Sequence, residues 1–165
     1  MSRVKESLKC TAILCIAAGI SSVGILKVIY QCDKELDRKI FQSKKFYSMF
    51  KVMNRWMEAM QSGKSMEKWF IKNKYNTIAI YGMHYIGERL VQELKDSRVT
   101  VLYAIDKNIS SSNTDLMVLK PDQELPKVDA VIITSVIYFY AMCRNIYKKV
   151  ECPIISIEEV VEGMC

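Results

Sequence analysis

The sequence predicts an α/β fold: a parallel sheet of about five strands, in the order 3-2-1-4-5, preceded by an N-terminal helical arm. Two observations carry this. From Thr77 onward, short β-rich runs (TIAIYG, VTVLYAID, DLMVLK, VDAVIITSV and CPIISI) alternate with helical stretches at 85–95 and 138–149. Strands separated by helices pair in parallel and carry the helices on the two faces of the sheet. Right-handed crossovers then leave little freedom in the strand order. The second observation is IAIYGMHYIGERL at 78–90, a strand that enters a helix through a glycine turn. About 90 residues of this texture make somewhat more than one mononucleotide-binding half of a Rossmann fold.

The elements follow in order. Residues 10–26 are 17 residues without a charge, bounded by Lys9 and Lys27 and extended by Val28, Ile29 and Tyr30. A membrane span needs ~20 apolar residues, with ~17 at the low end. Residues 1–30 are therefore expected to be a single-pass membrane anchor with lipid as partner. A buried or interfacial helix and a cleaved signal peptide are the alternatives, although no A-x-A site follows the run. Arg3, Lys5 and Lys9 before it nearly balance Lys27, Lys34, Arg38 and Lys39 after it, so charge barely orients the segment.

Residues 31–74 read as a helical linker. Leu36, Ile40, Phe46, Met49, Phe50, Met53, Trp56, Met57 and Met60 recur at helical spacing. This stripe is expected to pack on the downstream domain or a partner helix, with a ligand-binding stripe as the minor alternative. Gly63 is a natural stop, and Ser65 is placed to cap a second short helix ending near Asn73. Residues 75–165 form the Rossmann-like domain, with a short link at 123–125 and a last helical turn at 158–162.

Half of the 165 residues are apolar and a quarter are charged, the balance of a folded protein. Residues 1–76 carry 15 Lys/Arg against 6 Asp/Glu, and residues 77–165 carry 9 against 12. A basic front half suits an anionic membrane surface. The mildly acidic rear half is a poor nucleic-acid surface, and no nucleic acid is expected as partner. The six cysteines show no C-x-x-C pair, and His84 is the one histidine; a metal site is not expected. Scattered thiols suit a reducing compartment, so the domain is placed on the cytoplasmic side.

Ligands of such sheets bind beyond the carboxyl ends of the strands, where the strand order reverses. Three groups fall there. The turn Gly82, Met83, His84 to Gly87 offers backbone N–H groups and a helix N-terminus to an anion. Asp106 ends the strand VLYAID, 19 residues after Gly87, near the spacing of the acid that holds a ribose. Thr134 and Ser135 end VDAVIITS and bring two hydroxyls. Each also has a structural role available: tight turn, close packing, loop cap or helix cap. Together they point to a nucleotide-type ligand, NAD(P) or a nucleotide-sugar. His84 stands where the dinucleotide fingerprint has its middle glycine. Either the ligand sits further out and the imidazole donates to a phosphate, or the site takes something smaller or nothing.

The runs NRW (54–56), SGKS (62–65), IAIYGM, GERL, ELK, YAIDKN, VDAVIIT and CPIISIEEV resemble a family of small bacterial Rossmann-like proteins. These accompany capsule and exopolysaccharide biosynthesis genes and are described as nucleoside-diphosphate-sugar epimerase-like. The resemblance covers roughly residues 45–162. It implies an NAD(P)-binding-like fold, an apolar N-terminal segment, glycan-biosynthesis proteins as partners, and tolerance of residues other than glycine at position 84.

Epimerases of this class use a Tyr-x-x-x-Lys pair. That spacing occurs at Tyr30/Lys34, Tyr47/Lys51 and Tyr103/Lys107, none of which follows the fourth strand, and all three are set aside. The leading expectation is a membrane-tethered nucleotide-binding accessory protein of surface-polysaccharide biosynthesis without stand-alone catalysis. The alternatives are an NAD(P)-dependent epimerase or oxidoreductase completed by a partner or dimer, and an interaction module with an empty pocket.

Overall fold

The computed structural model describes residues 2–107 and 116–164, with side chains from residue 22 onward. The chain divides into two compact units, residues 1–44 and 45–165, and the boundary falls inside the first helix. That helix, α1, runs Ser2–Gln61. It is followed by α2 (Met66–Lys72), β1 (Thr77–Tyr81), α3 (Tyr85–Leu94), β2 (Thr100–Ile105), β3 (Val118–Leu119), β4 (Ala130–Ile133), α4 (Phe139–Ile146), β5 (Ile154–Ser156) and α5 (Ile157–Met164).

The first unit is helical. One unbroken helix runs through both the expected anchor and the expected linker, from residue 2 to residue 61. Val23, Ile25, Leu26, Val28, Ile29 and Tyr30 are all exposed. Most of the apolar run, residues 10–21, lies outside the described side chains. Among the described residues no helix is long and apolar enough to cross a membrane, so the expected transmembrane helix finds no support there.

In the second unit all five strands are parallel, in the order β3-β2-β1-β4-β5. This is the order expected from the sequence. β1 is central, and Ile78, Ala79, Ile80 and Tyr81 are buried on both faces, as a doubly covered parallel strand requires. Alternate residues serve opposite faces. Ile78 and Ile80, with Ala130 and Ile132, meet Ile86, Leu90 and Leu94 of α3 and Ile157, Val160 and Val161 of α5. Ala79 and Tyr81, with Val131 and Ile133, meet Ile146 and Met142 of α4.

The end of α1 belongs to this unit. Val52, Trp56 and Ala59 are buried in the α3/α5 face, together with Met66 and Phe70 of α2. The core of the sheet unit therefore reaches back past position 75, where the sequence placed its start. Gly63, at φ +73°, ends α1: the Lys64 N–H bonds the Ala59 carbonyl at 3.1 Å and the Gly63 N–H bonds the Met60 carbonyl at 2.9 Å. This is a Schellman closure, and glycine's freedom at positive φ permits it. Ser65 then caps α2, its hydroxyl accepting from the Lys68 N–H at 3.3 Å.

Most elements are shorter than their sequence runs, β3 and α4 among them. β3 keeps two residues of DLMVLK, and Asp115 at the head of that run lies outside the described residues. α4 begins one residue after Tyr138 and ends at Ile146, where Lys149 and Val150 both donate to the Ile146 carbonyl and close the last turn.

Candidate functional site

The site lies where β1 leaves the sheet between β2 and β4. The Gly82 N–H still pairs with the Ile105 carbonyl at 2.9 Å, so the turn begins in register with β2. Gly82 then takes φ +103°, and a Cβ there would stand 2.8 Å from Thr134 Oγ1. Glycine is needed twice at this position, for conformation and for room. At Gly87, in the first turn of α3, a Cβ would overlap the Gly82 carbonyl. The absence of a side chain at Gly87 is what lets α3 seat directly on the turn.

The ends of the two flanking strands pin this loop from either side. Asp106, one residue beyond β2 and 9% exposed, accepts the Met83 N–H on Oδ2 at 2.8 Å. Thr134, one residue beyond β4 and 5% exposed, donates its hydroxyl to the Gly82 carbonyl at 2.6 Å and approaches the Tyr81 carbonyl at 3.3 Å. The single Gly82–Met83 peptide is thus held at both ends, its N–H by a carboxylate and its carbonyl by a hydroxyl. A carboxylate takes a backbone N–H strongly, and each bond joins the turn to a different strand.

Beyond these strand ends opens a crevice of about 410 Å³, within the range of ~300–1,000 Å³ usual for small-molecule sites. Gly82, His84, Asp106, Thr134 and Ser135 all line it. Of the seven residues singled out in the sequence, Met83 and Gly87 do not. The Met83 side chain is buried in the α3/α5 core and contributes its backbone, while Gly87 lies buried beneath the turn.

His84 is the residue before α3. Its φ of −89° and ψ of −167° are ordinary extended values, and its side chain makes no capping bond. Glycine is therefore not required at position 84 for conformation; a side chain there alters only the room above the turn. The imidazole is exposed at the end where the first N–H groups of α3 lie along the helix axis.

The rest of the lining was not among the site residues expected from the sequence, although Phe46 and Met49 belong to the helical stripe whose minor alternative was ligand binding. Lys45, Phe46 and Met49 come from α1, Tyr81 from the end of β1, Lys107 from beyond Asp106, and Tyr138, Met142 and Asn145 from the α4 side. Asn145 Nδ2 donates to the Tyr81 hydroxyl at 3.3 Å. Burial pushes the Tyr81 phenol above its ordinary pKa; the Asn145 bond works against this and the Asp106 charge adds to it. The phenol therefore stays protonated, a polar tip on an apolar wall. The helical spacing around positions 46–49 was the available signal for the α1 residues, but periodicity alone does not say which cavity a stripe faces.

None of the three Tyr-x-x-x-Lys spacings forms a working pair. The Tyr103 hydroxyl donates to the Pro126 carbonyl at 2.8 Å, and burial raises its pKa to about 12, while Lys107 is exposed. Lys51 lies over the Tyr47 ring at 5.9 Å, a surface cation–π contact on α1. Tyr30 and Lys34 are exposed on the same helix. Among the described residues no group of three or more His, Cys, Asp or Glu side chains is placed to hold a metal. No protein-family model, curated protein or solved structure matches the chain.

Proposed function

We propose that the crevice beyond β1 binds a small molecule of nucleotide type, a dinucleotide or a nucleotide-sugar. The observation that carries this is the glycine turn anchored to both neighbouring strands. Met83 is tied to Asp106 and Gly82 to Thr134, so the start of α3 is held open towards a cavity of small-molecule size. A helix N-terminus fixed in this way favours an anion. Asp106 lines the crevice, and a carboxylate is the acceptor type that suits a ribose hydroxyl. Tyr81, Tyr138 and Phe46 supply flat apolar walls.

The protein's role, on this reading, is that of a binding module. The resemblance of residues 45–162 to the Rossmann-like proteins of capsule and exopolysaccharide clusters supports an accessory place in bacterial surface-polysaccharide synthesis. The apolar run 10–26 supports attachment to the membrane, as do the exposed apolar side chains at 23–30, since a helix apolar all round belongs in lipid or against a partner. The lack of disulfide spacing supports a cytoplasmic sheet unit. None of the three Tyr-x-x-x-Lys spacings brings both of its members to the crevice lining, which favours binding over epimerase or reductase chemistry in the lone chain.

The test is titration of the full chain with NAD+, NADP+, UDP-glucose and AMP, followed by ligand-detected NMR, alongside His84→Gly. Binding by the native chain is expected. Weaker binding by His84→Gly means that the imidazole holds a phosphate; stronger NAD+ binding means that it obstructs one. Silence from both folded proteins rejects the nucleotide reading and leaves an interaction module. Full-length protein that stays soluble after low-salt, detergent-free fractionation rejects the anchor.

A further inference from the structure

A second groove, of about 500 Å³ and more open, is lined by Lys107, Lys120, Pro121, Asp122, Asn145 and Lys149. Lys107 and Asn145 also line the crevice at the turn, so the two are continuous along the carboxyl edge of the sheet. Three lysines and one aspartate line this groove. That excess is notable in a half of the chain whose charge is otherwise negative, with 9 Lys/Arg against 12 Asp/Glu over residues 77–165. The ion pairs among the described residues are Arg55–Glu162, Arg98–Glu67 and Lys127–Glu151; none neutralises a lysine of this groove.

The groove is built rather than loose. Lys120, Pro121, Asp122 and Gln123 form a turn closed by the Gln123 N–H on the Lys120 carbonyl at 3.1 Å. Pro121 occupies the position where its fixed φ suits such a turn. The Lys120 N–H is held in addition by Gln123 Oε1 at 2.6 Å. Lys149 Nζ donates to the Pro121 carbonyl at 2.8 Å and approaches the Gln123 carbonyl at 3.3 Å. An ammonium has three N–H donors, so Lys149 is positioned by two and keeps a third.

We infer that this groove is an anion subsite, holding a phosphate or carboxylate that the ligand carries apart from any phosphate at the turn. The inference rests on the nucleotide reading of the adjoining crevice. It selects among nucleotide ligands those with a second acidic group, either a phosphomonoester on a ribose or an acidic sugar. Lysines act here as point charges that recognise phosphate and carboxylate alike, and their attraction weakens with salt.

The experiment compares pairs that differ by one acidic group: NADP+ with NAD+, and UDP-glucuronate with UDP-glucose. Calorimetry is run on the full chain and on the Lys120→Gln/Lys149→Gln double variant, whose positions lie outside the crevice at the turn. The acidic member of one pair is expected to bind about tenfold tighter or more; which pair does so identifies the anion. The advantage should vanish in the double variant while the affinity of the less acidic member stays the same. Equal affinity within both pairs, or an advantage that survives the double variant, overturns the inference. If none of the four ligands binds, the nucleotide reading fails and pyrophosphate decides for the groove. Saturating amide shifts at Lys120, Gln123 and Lys149 that disappear in the double variant uphold the subsite. Their absence overturns it.

Discussion

Replacing Asp106 tests the anchoring of the turn and the proposed ligand contact together. The carboxylate was expected to hold a ribose; in the structure its Oδ2 takes the Met83 N–H at 2.8 Å. Met83 is 2% exposed, so Asp106→Ala leaves a buried donor without this acceptor. A lost bond to a charged group costs ~1.5–3 kcal/mol, and a small cavity adds to it. Asp106→Asn keeps an amide oxygen of the same reach and should restore most of that stability. Urea unfolding of the full chain should therefore rank native above Asn above Ala, with Ala lower by about 2 kcal/mol or more. Nucleotide affinity should fall about ten- to a hundredfold in the Ala variant, with the Asn variant in between. Ala unfolding at the same urea concentration as native would refute the anchoring of the turn. Asn losing as much stability as Ala would show that the charge, not the bond to Met83, matters.

Other outcomes follow from neighbouring contacts. Gly87→Ala should destabilise despite a gain of ~1 kcal/mol in helix propensity, because its Cβ meets the Gly82 carbonyl, itself fixed by Thr134. Overpacking of this kind costs ~1–3 kcal/mol, and a higher melting temperature would contradict it. Trp56→Ala should cost ~3–5 kcal/mol, and a fragment beginning at residue 65 should melt lower than one beginning at 45, since Val52, Trp56 and Ala59 are core. Trp56→Phe should cost much less, because Trp56 Nε1 is buried without a hydrogen-bond partner among the described residues. Asp129 accepts from the Thr77 N–H, the Thr77 hydroxyl and the Asn76 N–H, and these bonds, the Thr77 N–H foremost, hold its carboxyl below the ordinary range. A depressed folded pKa stabilises above the unfolded value and is lost as pH falls through the folded one. The urea midpoint should therefore drop more between pH 7 and about pH 3 for the native chain than for Asp129→Asn; equal drops would contradict this.

The fold was legible in the sequence because its signals were local. The continuous apolar runs IAIY and AVII, the glycines at 82 and 87 and the cap at Ser65 each act within a few residues. Strand order followed from the parallel pairing that the succession of strands and helices implies. What stayed hidden was tertiary. No pattern in VLYAID tells whether the carboxylate of Asp106 turns to a ligand or to the Met83 peptide 23 positions earlier. The stripe from Phe46 to Met60 has helical period all round, and period alone does not assign Trp56 to the core, Met49 to the crevice and Phe50 to solvent. The groove of Lys107, Lys120 and Lys149 joins residues 42 positions apart in sequence, brought together by the β2–β3 pairing and the end of α4.

The central claim is that the crevice beyond the turn is a ligand site, and blocking it tests this most directly. Ser135 lines the crevice half-buried, so Ser135→Phe fills it while leaving Asp106, Thr134 and the turn untouched. Calorimetric titration of the folded native and Ser135→Phe chains with NAD+, NADP+, UDP-glucose and UDP-glucuronate should give saturable binding of at least one ligand to the native chain and none to the variant. Equal binding by both, or by neither, would contradict the account.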